Sequence, residues 1–478
     1  MKTVKFLQAV LLMTVSVSAV ATAKDYSHYY DGLPVEIKQV TPITFPDRAA
    51  SITDHGAVGD GVTLCTEAIQ RTIDSIASLG GGRVEIPMGV WLTGPIELKS
   101  NVNLWLDKNA ILYFSPDRSL YVEDNPKASR VKACISAKRC SNIGITGSGM
   151  IDGNGVQWRP VKRGKVSDTE WKEFKALGGV ERDNGNLWYP WELKAGYGDI
   201  AATPEMQEKK RNDLFRVNFC ENILLEGVTF QNAPKFHVHP FNSRNIIIDG
   251  VTVRCPWNAQ NGDAIDLSDC HQVLVVNSTV DAGDDGICLK SGEAKEGTNV
   301  NGVVDVLIRY NTVYHAHGGF VIGSEDICGI DRVVATDCRF SGTDTGLRFK
   351  SAIGRGGKTS DIYLYNIMMA DIKNEAVIIE CSYADRPAGS KEGDVTVVKE
   401  LKNVPLFTDI KIYDIVCRGC KYAVKASGIT GMDCVNNIDI YNSTFVYRSQ
   451  PTVIDESTAK LNMHNVRLVP DNKSVPEL

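Results

Sequence analysis

Three carboxylates lie close together in the stretch from Asn261 to Gly292: Asp263, and the adjacent pair Asp284 and Asp285. Asp favours turns, but no turn needs two adjacent acids flanked by Gly283 and Gly286. Like charges held together raise the proton affinity of one of them, which suits a general acid. A second carboxylate across a gap can then activate water, as in glycoside hydrolysis. The run H-A-H-G-G-F-V-I-G-S follows, with His315, His317 and Ser324, and after it R-F-K, Arg348 to Lys350. On a strand, Arg348 and Lys350 share a face with Phe349 opposite. Such a pair is either two solvated charges or a basic clamp for a carboxylate-bearing ligand.

These groups can meet only if something stacks them. From about residue 100 one motif recurs: a polar pair, an alternating β-branched run, then a small or Gly turn. Copies include S-N-I-G-I-T-G at 141, E-N-I-L-L-E-G at 221, R-N-I-I-I-D-G at 244, S-D-I-Y-L-Y-N at 360 and N-N-I-D-I-Y-N at 436. Most successive copies from 141 onward lie 23–33 residues apart, and two longer gaps read as insertions. A fixed-period strand repeat with little helix between copies predicts a solenoid. Each period holds about three short strands, so the expected class is all-β, a parallel β-helix. Asp263 and the Asp284–Asp285 pair then sit on neighbouring coils. Thr66 to Leu79 reads as an amphipathic helix on Ile69, Ile73 and Ile76, placed to cover one open end of the stack.

The first 23 residues read as a secretory signal: Lys2 and Lys5, an apolar run from Phe6 to Val20, then Ala21-Thr22-Ala23. That run is too short to span a membrane, and the mature chain has no membrane span. The expected organisation is residues 24–478 as one domain, secreted or periplasmic, with an insertion at about 152–215. The net charge of −6 argues against nucleic acid as a partner. Two roles are open for the insertion's Trp158, Trp171, Trp188, Tyr189 and Trp191: stacking on sugars or anchoring a loop. Its basic runs, K-R-G-K at 162–165 and E-K-K-R at 208–211, read as solvated faces. The 13 cysteines mostly sit in apolar runs and read as small core residues.

In order, N-G-D-A-I-D, G-D-D-G, H-G-G-F-V-I-G-S and R-F-K resemble glycoside hydrolase family 28, the polygalacturonases, and the H-G-G-F-V-I-G-S form and the long insertion resemble its exo-acting bacterial members. Gly262, Ala264, Gly286 and Ala316 depart from residues common in that pattern, but no catalytic group is missing. The resemblance implies a right-handed parallel β-helix and inverting hydrolysis of α-galacturonosidic bonds in pectic chains, with no metal and no cofactor. It implies Asp284 as the general acid, Asp263 and Asp285 as the carboxylates that activate water, and His317 as support for the acid. Arg348 and Lys350 would bind the uronate carboxylate. Lys290 and His239 are further candidate substrate contacts, with His237 a weaker one. The alternatives are hydrolysis of a rhamnogalacturonan backbone by the same acids, or a non-catalytic glycan-binding β-helix.

Overall fold

The computed structural model describes residues 23–123, 130–191, 210–294, 300–381 and 403–471. The leader up to residue 22, part of the insertion (192–209) and the segment 382–402 lie outside these residues. The expected signal peptide falls almost wholly among them. Among the described residues, no helix is long and apolar enough to cross a membrane.

The recurring motif forms one wall of a right-handed parallel β-helix. Its β-branched positions stack in register, Ile143 on Ile223, Ile246, Val273 and Val306, all pointing inward and buried. The polar residue that precedes each run has a structural task. Asn142, Asn222 and Asn245 each take φ of 54°, 58° and 52°, a left-handed conformation that Asn tolerates better than most residues. There the amide of Asn142 donates to Asn101 at 2.9 Å, Asn222 to Asn142 at 2.8 Å and Asn245 to Asn222 at 2.7 Å. Over these four coils, Asn101 to Asn245, the sequence repeat is therefore a hydrogen-bonded ladder running along the solenoid.

A second wall carries the acids. Its strands are the first halves of β1 (Val238–Asp249) and β2 (Ile265–Val276), whose second halves continue into the first wall, and then β3 (Ile287–Ser291), β4 (Gly318–Asp326) and β5 (Thr345–Lys350). Ile265 pairs with Ile287, Ile287 with Phe320 and Phe320 with Leu347. All four point into the core, so the alternate residues must face out.

The helix Thr66–Ser78 closes one end of the core, burying Ile69, Ile73 and Ile76. The segment before it lies outside the core of the solenoid. Tyr26, Tyr29, Tyr30, Ile37, Val40 and Ile43 lie as a strap on the outside of the solenoid, against Leu224, Ile247, Leu274, Leu307 and Val334. The strap is pinned by polar bonds: Thr41 N–H donates to Asn245 at 2.8 Å, and the Gln272 amide donates to the Gln39 carbonyl at 2.6 Å. None of the thirteen cysteines is in a disulfide, and every one but Cys328 is buried.

The ladder gives a direct test. Asn222→Ala removes two hydrogen bonds and leaves a Cβ in a left-handed site, an expected loss of about 2–4 kcal/mol. Asn222→Gly keeps the backbone relaxed and should lose about 1–2 kcal/mol. Urea unfolding midpoints of the two variants check the order.

Candidate active site

The acids sit in turns just ahead of the strands of the second wall, and backbone bonds hold those turns in line. His237 N–H donates to the Asp263 carbonyl at 3.0 Å, Ala264 N–H to the Asp285 carbonyl at 3.0 Å, and His317 N–H to the Asp284 carbonyl at 2.7 Å. Four successive coils thus deliver His237, Asp263, the Asp284–Asp285 pair and His317 to one edge. Close approach is needed here. A Cβ on Gly319 would lie 2.4 Å from the Phe340 ring, and one on Gly323 would lie 2.8 Å from Lys290 Cγ. This is why the H-G-G and I-G-S glycines follow the histidine.

The side chains form two linked charge groups. Lys290 Nζ bridges Asp263 at 2.9 Å and Asp266 at 2.8 Å. Lys350 Nζ lies 2.8 Å from Asp285 Oδ2, and Arg348 lies 3.6 Å from its Oδ1. His317 Nδ1 lies 2.8 Å from Asp284 Oδ1. Arg348 and Lys350 do share the outer face, while Phe349 is buried in the core against Phe320 and Phe407. Of the residues singled out in the sequence, Asp263, Asp284, Asp285, Lys290, His317, Arg348 and Lys350 converge.

Burial and charge divide the carboxyls. Burial, reinforced by Asp266, Asp284 and Asp285, pushes Asp263 well up against the pull of the Lys290 ammonium. Burial likewise carries Asp266 up to about 6, with Lys290 opposing. Burial would raise Asp285 too, but Lys350 and Arg348 outweigh it and hold that carboxylate below its ordinary value. At Asp284 a charged His317, with help from Lys350 and Lys165, outweighs burial and holds the carboxyl below its ordinary value. One donor atom each from Asp284, Asp285 and His317 lie within 4.8 Å of one another. That spacing could suit a cation, but the ammonium of Lys350 and the guanidinium of Arg348 already stand against these acids.

His239 stands apart. Its Nδ1 lies 2.9 Å from Asp213 and its Nε2 3.1 Å from the Ser268 hydroxyl, and burial pushes it down to about 4. Both ring nitrogens are engaged, so it reaches the site only through Phe236, whose ring it meets edge-on and over which Lys290 Nζ lies at 4.4 Å. His237 is fully buried; its Nε2 accepts from Ala233 N–H at 3.2 Å and its Nδ1 donates to the Asp263 carbonyl at 2.9 Å. It positions the Asp263 turn.

The insertion supplies what the motifs did not show. Strands Val161–Lys162, Val180–Arg182 and Leu187–Tyr189 form a small antiparallel sheet, packed on Trp171 of the helix Asp168–Ala176. Trp158, Trp171, Trp188, Tyr189 and Trp191 are all buried. Trp158 packs edge-on against Tyr121 at 5.1 Å. They are anchors. The basic runs are not wholly solvated either: Lys210 and Arg211 are buried, and Lys165 Nζ lies 3.3 Å from His317 Nε2 and 3.1 Å from the Gly283 carbonyl. No sequence spacing pointed to this contact, because Lys165 comes from a turn far from the repeat that holds His317.

The chain is similar to known proteins over most of its length. Residues 166–443 match the model for glycosyl hydrolases family 28. An exo-poly-α-D-galacturonosidase of Dickeya chrysanthemi is 28% identical over 467 residues, covering 92% of this chain and 75% of the relative. A probable polygalacturonase of Vitis vinifera is 28% identical over 431 residues, covering 86% and 78%. Among solved structures, a hyperthermoactive exopolygalacturonase from Thermotoga maritima superposes with a TM-score of 0.71 at 27% identity, covering 90% of this chain and 94% of that one. A parallel β-helix with a line of acids and bases along one wall is the frame of a glycoside hydrolase. This chain belongs to glycosyl hydrolase family 28.

The Lys290 bridge predicts a pH-dependent stability. Lys290→Met leaves Asp263 and Asp266 buried without their ammonium, an expected cost of about 3–5 kcal/mol near neutral pH. Their folded values then lie above the unfolded ones, so the folded state holds extra protons and loses stability as pH rises through those values. The variant's thermal midpoint should approach wild type near about pH 4 and fall away toward about pH 7.

Proposed function

We propose that the protein hydrolyses α-galacturonosidic bonds of pectic chains, releasing short products from a chain end with inversion at the anomeric carbon. The observation that carries this is the pairing of Asp285 with both Lys350 and Arg348 beside the Asp284–His317 pair. A uronate carboxylate entering this site meets two cations on one face, with Asp284 and Asp285 two coils away.

In this reading Asp284 protonates the glycosidic oxygen. Asp285, held ionised by Lys350 and Arg348, accepts a proton from the attacking water, with Asp263 on its other side. Lys290 keeps Asp263 and Asp266 in place by charge-assisted hydrogen bonds. Arg348 and Lys350 orient the uronate, and the guanidinium plane suits two carboxylate oxygens. Chain-end action is supported by the insertion, which stands at the edge of the site with Lys165 against His317, and by the relatives named for exo cleavage. Asp284 and Asp285 lie nearer to each other than the roughly 6.5–9.5 Å usual for inverting pairs. Inversion therefore rests on the family resemblance, and the product anomer decides it. Secretion rests on the leader sequence.

With polygalacturonate as substrate, the protein should release mono- or digalacturonate from the first minutes, unaffected by chelator, with the β-anomer first in proton NMR. Rhamnogalacturonan should be a poor substrate. An ultraviolet-absorbing unsaturated product would exclude hydrolysis. Asp284→Asn should cut kcat by about 10²–10⁴-fold with an unchanged thermal unfolding profile. Near-wild-type turnover in that variant would remove Asp284 from the acid role.

A further inference from the structure

We propose that Lys165, carried by the insertion, is a positioning residue that fixes the protonation state of His317 and so lets Asp284 hold the acid proton. This rests on the reading of Asp284 as the general acid.

The hydrogen-bond chemistry at the two ring nitrogens is restrictive. His317 Nδ1 faces a carboxylate oxygen of Asp284 at 2.8 Å, so it is the donor there. Nε2 faces Lys165 Nζ at 3.3 Å. An ammonium has three donors and no lone pair, so Nε2 must present its own lone pair. The ring is then neutral, with its one proton on Nδ1. A second proton, on Nε2, would point at the ammonium.

Every charged group around the ring bears on this. Asp344 Oδ2, from the turn before β5, lies 3.9 Å from Nε2 and would favour a second proton. Its other oxygen is taken by Lys373 at 2.8 Å, which spends part of its charge. Asp284 lies on the far side of the ring, with Lys350 near it. Lys165 is therefore the group that tips the balance at Nε2. It is itself held in place by the Gly283 carbonyl at 3.1 Å, one residue from the acid, and by the small sheet that ends in the turn Arg163–Lys165.

The consequence falls on Asp284. Among the groups that hold its carboxyl below the ordinary range, a charged His317 is the strongest. With His317 neutral, that contribution drops to a single N–H donated to Oδ1. Oδ2 is then able to carry the proton destined for the leaving oxygen. Lys165 also attracts the carboxylate, but from beyond the imidazole ring, where its pull is weaker than that of an imidazolium in contact. An insertion residue thus exchanges a near positive charge for a more distant one.

The test is nitrogen NMR of the histidine rings in the full chain, with His317→Asn for assignment, beside kinetics on polygalacturonate. In the wild-type protein at about pH 6, near the ordinary histidine value, the His317 signals should be those of the neutral ring protonated on Nδ1. In Lys165→Met the ring should gain a second proton. In that variant kcat should fall about tenfold or more with KM within about twofold, and the alkaline limb of kcat should move to lower pH. Lys165→Arg should restore most of the rate. A doubly protonated ring in the wild type overturns the proposal whatever Lys165→Met does. So does an unchanged ring state in Lys165→Met, or a raised KM at constant kcat, which would make Lys165 a simple substrate contact. If the wild-type protein fails to cleave polygalacturonate, the functional reading falls by that result, while the ring-state measurement still reports on the contact itself.

Discussion

The structure depends on the register of its stacked strands. Hydrogen-bonded neighbours in a parallel wall lie about 4.8 Å apart, so residues one coil apart in sequence become contact partners. The inward rows of Ile, Val, Leu and Phe hold that register, because a slip by one residue would turn every core side chain to the surface. The outward rows inherit the precision. Lys290 reaches Asp263 across one coil, and Lys350 reaches Asp285 across two. Neither contact needs a dedicated loop.

This register explains what was legible in the sequence. The motif period predicted the coil, and the coil placed Asp263 beside Asp284 and Asp285, and His317 and Arg348 beyond them. The polar residue at the head of each motif was legible as part of the repeat; in Asn142, Asn222 and Asn245 it is the rung of an amide ladder. The acids were legible because their separation matches the period of the apolar pattern around them.

What was not legible shares a physical cause: contacts outside the period. Tyr26, Tyr29 and Tyr30 show no strand or helix pattern, since a strap on an outer surface needs apolar groups only where it meets Ile247 or Leu274. The insertion's tryptophans could have stacked on sugar, and only their burial against Tyr121 and one another identified them as anchors. Lys165 sat in a run of basic residues that resembles a solvated turn; its contact with His317 depends on a small sheet whose position no periodicity encodes. His239 lies near the acids in sequence as well as in space. Asp213 and Ser268, from the coils on either side, engage both its nitrogens.

The outer strap has a consequence for how the molecule comes apart. In a solenoid each coil touches only its neighbours, so stability is close to a sum of nearest-neighbour terms and coils can fray singly. The strap breaks that rule. It packs at once on Leu224, Ile247, Leu274, Leu307 and Val334, the last four of which lie on the coils that carry His237, Asp263, the Asp284–Asp285 pair and His317. Loosening any one of them disturbs a segment shared by all. The coils that hold the acids are thereby tied to one another by contacts beyond those between neighbouring coils.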